Sequence, residues 1–475
     1  MIPMLKMQPM KTGLARVEVL GRIGQMLALA TCPTVFFANA HAEDHGPDRM
    51  GGGEYAWAQR VPHLSEVQRA EIELSLSASR VRLEKAGALA EKTSAEPADR
   101  PGFIWPVRAA AGVADPGVDA ISGFVDHDFR YPELLEDYNC GNRTYDLASG
   151  YNHKGLDIFS WPFSWKKMDE DAVEVVAAAP GTILLKQDGN FDRSCGFNGG
   201  NWNAVYITHG DGSTAWYGHL KEGSLTNKAV GDTVKAGDYL GVMGSSGNST
   251  GPHLHLEVYD SAGGLIDPFI GVCNGLNSES WWASQPEYRE SRINAFTTGA
   301  AAAAFPVCPT AENPNIRSTF LTGDPAFFTT YYSDQLAGQW SDYRIIDPDG
   351  TTYYDWSHQS SDSYNASWWY WSWSSFASSG PTGIWTFQID YDGLRYSRPF
   401  YVVSACPTND TLPAQSVVFD TTLAAKSQLV IDPGVSVSSG ARLTLLSGQS
   451  ISLAESFSVG RGSSLRMAVG AQICD

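Results

Sequence analysis

Five residues, His153, Asp157, His219, His253 and His255, could carry metal chemistry if the chain brings them together. His253 and His255 sit two apart in the alternating run Pro252-His-Leu-His-Leu-Glu-Val258. Successive side chains of a strand point to opposite faces, so this run predicts a strand with His253, His255 and Glu257 on one face and Leu254, Leu256 and Val258 on the other. Upstream, His153-Lys-Gly-Leu-Asp157 offers an imidazole donor and a carboxylate four apart, with a glycine that suits a turn. Tyr217-Gly-His219-Leu adds another histidine shortly after the apolar run Ala204-Val-Tyr-Ile-Thr208. Two histidines and one aspartate make a three-ligand set with an open fourth position, the arrangement a catalytic zinc requires. The histidines left over are then available for proton transfer or for stabilising an oxyanion.

Residues of this kind need a rigid frame, and the surrounding sequence predicts a β-rich one. Short apolar runs (173–179, 182–185, 204–208, 239–243 and 253–259) are separated by Pro180-Gly, Asp188-Gly, Gly199-Gly and Asp211-Gly turn signals, the pattern of an antiparallel β domain. His127, between two aspartates, reads as part of a solvated loop, and His209 as a structural residue closing a strand. H-E-x-x-H does not occur, which excludes the common zincin arrangement.

The ordered motifs resemble the lysostaphin/LasA-type zinc endopeptidases that cut peptidoglycan peptides. Four elements carry the resemblance: His153-x-x-x-Asp157, Thr214-Ala-Trp-Tyr-Gly-His-Leu220, 230–241 (VGDTVKAGDYLG), and 244–257, which ends in the His253-Leu-His255 strand. They lie within about Pro101 to Ile270. The resemblance implies that His153, Asp157 and His255 ligate Zn2+ and that His219 and His253 are catalytic. It further implies hydrolysis of peptide bonds in the bacterial wall by zinc-activated water. Trp216, before the tyrosine, departs from the family pattern, with an expected effect on a subsite rather than on the chemistry.

The whole chain is 475 residues long, too long for one ordinary domain. Its formal charge of −19 argues against nucleic acid and against an anionic membrane surface as partners. Residues 1–42 read as a signal peptide: Lys6, Lys11, Arg16 and Arg22 precede a short apolar stretch and small-residue cleavage positions. That apolar stretch is too short to span a membrane, and no later one is long enough. Residues 43–100 open on a loose Gly51-Gly-Gly53 and carry a helix-like pattern from Leu64 to Lys92, either a removable prosegment or an N-terminal helix packed on the next domain. The metallopeptidase domain is expected at 101–275, a linker at 276–309, a β-sandwich-like module at 310–405 and a small β-rich, repeat-like module at 406–475. The expected fold class is therefore mainly β, with a helical N-terminal segment. In the cluster Trp368-Trp-Tyr-Trp-Ser-Trp373 the alternation puts Trp369, Trp371 and Trp373 on one face, better suited to sandwich core than to a sugar-stacking platform.

Beyond Cys32, six cysteines remain, an even set with fifteen possible pairings and no C-x-x-C. Pairing neighbours in sequence, Cys140–Cys195, Cys273–Cys308 and Cys406–Cys474, would staple one region each. Such bonds persist in an oxidising compartment, which points to a secreted or periplasmic protein. The leading function is a zinc endopeptidase acting on peptidoglycan peptides. The alternative is a non-catalytic wall-binding or adhesion protein that uses the peptidase fold and the C-terminal β modules.

Overall fold

A computed structural model of the chain describes residues 46–55, 61–89, 100–305, 308, 312–403, 409–417, 421–438 and 441–469. The expected signal peptide lies outside the described residues. The fold is mainly β and is built around one antiparallel sheet in the order 119–123, 156–160, 253–259, 214–218, 204–208, 181–187 and 233–234, with 265–266 also paired to 253–259. His253–Tyr259 is therefore a central strand, hydrogen-bonded on both sides.

Its alternation is the one predicted from sequence. Leu254, Leu256 and Val258 enter the apolar core with Leu156, Ile158, Val205, Ile207 and Tyr217 from the flanking strands, while the histidines and Glu257 take the opposite face. Fully burying each such aliphatic side chain is worth about 1.5–3 kcal/mol. A one-residue slip would exchange the two faces, so the apolar side of the strand fixes the register that the polar side depends on. That register places Asp157 opposite His255 on one neighbour and Gly218 opposite His255 on the other.

The N-terminal helix, Glu66–Lys85, lies over the outer, polar-side layer of this sheet. Ser65 and Gln68 form a capping box at its start. Ile72, Leu76 and Leu83 pack with Leu184, Trp202, Tyr206 and Trp216, and Ser79 Oγ donates to the Leu184 carbonyl at 2.6 Å. Trp216 is thus buried beneath this helix, with the Arg69 guanidinium 5.7 Å from its ring. The subsite effect expected of it gives way to a packing role, because position 216 faces the helix and sequence spacing could not reveal that the helix covers it.

The second module is a sandwich. One sheet runs 49–54, 366–373, 326–333 and 292–299, and the other runs 319–321, 394–403, 383–391, 340–346 and 352–359. Phe328, Trp371 and Trp373 from the first sheet meet Tyr343, Phe387 and Phe400 from the second in a common aromatic core, so the tryptophan cluster serves packing. Two segments read differently in sequence join this module. Arg292–Gly299, inside the stretch expected to be a linker, is a full strand; buried Asn294, Thr297 and Thr298, together with a bulge between Ile293 and Ala295, hide its alternation. The glycine run Gly51–Gly53, expected to be loose, forms part of the strand Arg49–Glu54 against Ser367–Ser372. A Cβ on Gly52, whose φ is +124°, would come 2.1 Å from the Trp368 carbonyl oxygen, so only glycine permits that approach.

The C-terminal residues form a small parallel β-solenoid of three ladders. Gln428 pairs with Ser450, Ser436 with Ser458 and Arg442 with Ser464, and Leu429, Ile431, Val437, Leu443 and Leu445 fill its interior. Two disulfides are described, Cys140–Cys273 and Cys195–Cys308. They correct the neighbour-in-sequence pairing: the chain returns to the loop around Cys140 only after completing the sheet, so distant cysteines become spatial partners. Cys406 and Cys474 lie outside the described residues.

Candidate metal centre

All five residues singled out in the sequence converge at the polar face of the central strand. His153, Asp157 and His255 offer ligand atoms that lie within 4.8 Å of one another, and His219 and His253 lie beside them. The His219 and His253 ring centroids are 4.4 Å apart. His219 has φ +64°, a left-handed conformation that costs a non-glycine residue strain and is characteristic of functional positions. Gly155, between His153 and Asp157, is required by proximity: a Cβ there would sit 2.6 Å from the His255 ring.

Hydrogen bonds to acceptor-only groups fix the ring tautomers. His153 Nδ1 donates to the Phe124 carbonyl at 2.6 Å, so its Nε2 presents a lone pair, 3.0 Å from Asp157 Oδ2. His255 Nε2 donates to Glu257 Oε1 at 2.8 Å, so its Nδ1 lies 2.6 Å from Asp157 Oδ1 and 3.4 Å from His153 Nε2. Lone pairs and carboxylate oxygens this close repel one another unless a positive charge, a proton or a metal ion, lies among them. Zinc ligands at roughly 2.0–2.1 Å on a tetrahedron stand about 3.3–3.4 Å apart. The 3.4 Å between His153 and His255 equals that edge, and the 3.0 Å from His153 to Asp157 falls just short of it. The 2.6 Å from His255 to Asp157 is a hydrogen-bond distance that would open on binding the ion. Nitrogen and oxygen donors fit the same ion.

The electrostatics agree. Burial opposes ionisation of Asp157, but the surrounding imidazoles outweigh it and hold its carboxyl well below the usual range. Burial also weakens His255 as a base, yet the Asp157 and Glu257 carboxylates prevail and push its pKa up to about 9, so without a metal its Nδ1 carries a proton that a bound cation would displace. Burial drives His219 well below its ordinary value and lowers His253, so both are neutral at pH 7. His219 Nδ1 donates to the Ser246 carbonyl at 2.6 Å and His253 Nδ1 to the Gly251 carbonyl at 2.8 Å.

Behind the site, Glu257 is bound by Arg69 of the N-terminal helix through both guanidinium Nη atoms, at 2.5 and 2.9 Å, and by Tyr259 Oη at 2.5 Å. Glu257 in turn orients His255, an outer-shell arrangement typical of metal-binding histidines. Glu257 is fully buried. An Arg69→Met variant should therefore lose about 3–5 kcal/mol, the cost of leaving a buried charge without its partner. The measurement is the denaturant midpoint of the variant beside the unaltered chain; an unchanged midpoint would contradict it.

One residue at the centre was missed in the sequence. His63, from the N-terminal segment, has its ring centroid 4.1 Å from that of His255 and 4.8 Å from that of His219. His63 Nε2 lies 3.1 Å from Asp157 Oδ2, and it completes a four-residue group with His153, Asp157 and His255. Burial, opposed by Asp157, lowers its pKa to about 3. Ninety residues separate His63 from His153, and the only local signal is its place two residues before a capping box, so spacing alone could not find it. His127, by contrast, is no solvated loop residue: its side chain is buried against Asp267, with Nε2 to Oδ2 at 2.9 Å. His209 is structural, with Nδ1 2.8 Å from the Pro180 carbonyl.

A sheet with this His/Asp face defines a class, and comparison with known proteins gives it a family. The model of Peptidase family M23 matches residues 151–268, and the chain belongs to that family. The glycyl-glycine endopeptidase ALE-1 of Staphylococcus capitis is 42% identical over 110 residues, 23% of this chain and 25% of that protein. The DD-carboxypeptidase/endopeptidase Mpg of Neisseria meningitidis is 42% identical over 83 residues, 18% of this chain and 16% of Mpg. The chain thus spans a quarter or less of either relative. Among solved structures, the catalytic domain of lysostaphin from Staphylococcus simulans is 30% identical over 26% of this chain and 83% of that one, with a TM-score of 0.19.

Proposed function

We propose that the chain is an exported zinc endopeptidase that hydrolyses peptide bonds in bacterial peptidoglycan. The observation that carries this reading is the converged donor set, in which His153 Nε2, His255 Nδ1 and both Asp157 oxygens face one point. His153, Asp157 and His255 would hold the ion. Zinc bound there supplies Lewis acidity and draws the pKa of a water toward about 7. His219 and His253, neutral and anchored through Nδ1, turn Nε2 toward the same point; one can accept the proton of the attacking water and the other, once protonated, can donate to the developing oxyanion. Assembly of all five residues favours this reading over a non-catalytic wall-binding scaffold of the same fold. The name of one matching relative, the peptidoglycan DD-endopeptidase ShyC of Vibrio cholerae, supports the substrate.

Two disulfides support an oxidising compartment, secreted or periplasmic. Among the described residues no helix is long and apolar enough to cross a membrane. Purified peptidoglycan incubated with the zinc-loaded chain, and with a His63→Ala variant that empties the centre of the site, should release soluble peptide fragments identifiable by mass. A chelator should stop the release and added zinc restore it. Release that survives chelation, or none from either protein, would count against the reading.

A further inference from the structure

We propose that His63 is a fourth, internal metal ligand that holds this chain in a self-inhibited state. The inference rests on the zinc-site reading above and concerns a residue outside the matched family region.

The tautomer of His63 follows from its neighbours. His219 donates through Nδ1 to the Ser246 carbonyl, so its Nε2 can only accept. His63 Nδ1 lies 2.8 Å from that nitrogen and must donate to it. His63 Nε2 is then a lone-pair donor, facing Asp157 Oδ2 at 3.1 Å, close to the 3.0 Å separating His153 Nε2 from the same oxygen. Both separations fall only a few tenths of an ångström short of the tetrahedral edge about a zinc-sized ion. The Tyr145 hydroxyl, 2.6 Å from His63 Nε2, has the Val61 carbonyl as its own acceptor at 3.0 Å.

Position makes the ligand an inhibitor. The imidazole stands between the donor set and the His219/His253 pair, the space a scissile carbonyl must enter. Both sides of the site grip the segment that carries it. Tyr145 bonds Val61 on one side; on the other, Asn248 donates to the His63 carbonyl at 3.4 Å and Gln68 to the Gly200 carbonyl at 2.8 Å. Leu64 is buried against Trp202, Tyr206 and Trp216. The segment is held at both ends, by the strand Arg49–Glu54 in the sandwich and by the helix Glu66–Lys85 on the sheet. Together they place His63 in a site otherwise three-coordinate, where a fourth protein ligand marks a closed rather than a catalytic centre.

The test uses point variants of the full chain, because deleting the segment would also remove Arg69 from Glu257. His63→Ala removes the donor and opens the site; His63→Phe removes the donor but keeps a ring there. Each protein is loaded with Co2+, whose visible spectrum reports coordination number, and is titrated with inorganic phosphate as a small metal-binding anion. Circular dichroism confirms the fold of each variant. The unaltered chain should show a four-coordinate spectrum insensitive to phosphate. Both variants should bind the metal about 10–10²-fold more weakly, and His63→Ala should respond to phosphate and gain at least tenfold in peptide release. Equal metal affinity in all three proteins, or a phosphate response already present in the unaltered chain, would overturn the proposal. A His63→Ala variant that shows the metal and phosphate changes but releases nothing from peptidoglycan would leave His63 as a ligand and overturn the substrate instead.

Discussion

An Asp157→Ala variant is expected to bind zinc about 10²–10³-fold more weakly than the unaltered chain and to lose turnover with it. Asp157 is where the site converges: its two oxygens lie within 3.1 Å of His63, His153 and His255. Four-ligand zinc sites are worth roughly 10–16 kcal/mol, so one ligand's share is about 3–4 kcal/mol, or two to three decades of affinity. The fold should persist, because Leu156 and Ile158 keep this strand in the core on either side of position 157. Equilibrium zinc competition with a chromogenic chelator reads the affinity directly. A variant that holds zinc as tightly as the parent would remove Asp157 from the donor set.

His219→Ala should have an effect of comparable size on rate and almost none on metal content. His219 bonds the Ser246 carbonyl and His63 but lies outside the group formed by His153, Asp157 and His255 with His63. General acid–base assistance is typically worth about 10²–10⁴-fold, and a lost oxyanion donor about 10²–10³-fold. The comparison is best made in a His63→Ala background, so that the N-terminal segment does not mask the difference. Zinc content measured beside turnover separates the roles: His255→Ala should lose both, while His219→Ala and His253→Ala should keep zinc and lose turnover. If His253→Ala lost zinc while His255→Ala retained it, the roles along the central strand would be reversed.

The sequence by itself determined the main β class and the local composition of the site. Alternation in His253–Tyr259 dictated both faces of the central strand, because a two-residue period is a property of the backbone and survives any packing. His153-x-x-x-Asp157 and His219 could be picked out because each lies in a short motif whose residue types already suit a metal or a proton. Tertiary structure decided everything that depends on chain segments far apart in sequence. Cysteine partners followed the return of the chain to the loop around Cys140, not the nearest cysteine. Trp216 turned out to be packing because a helix over a hundred residues earlier covers it, and Arg292–Gly299 was a strand because burial of its polar residues concealed the period. His63 is the sharpest case. A lone histidine before a helix carries no local signature, and only the docking of that helix, through Arg69 on Glu257 and Leu64 on Trp202, delivers its ring to the donor set.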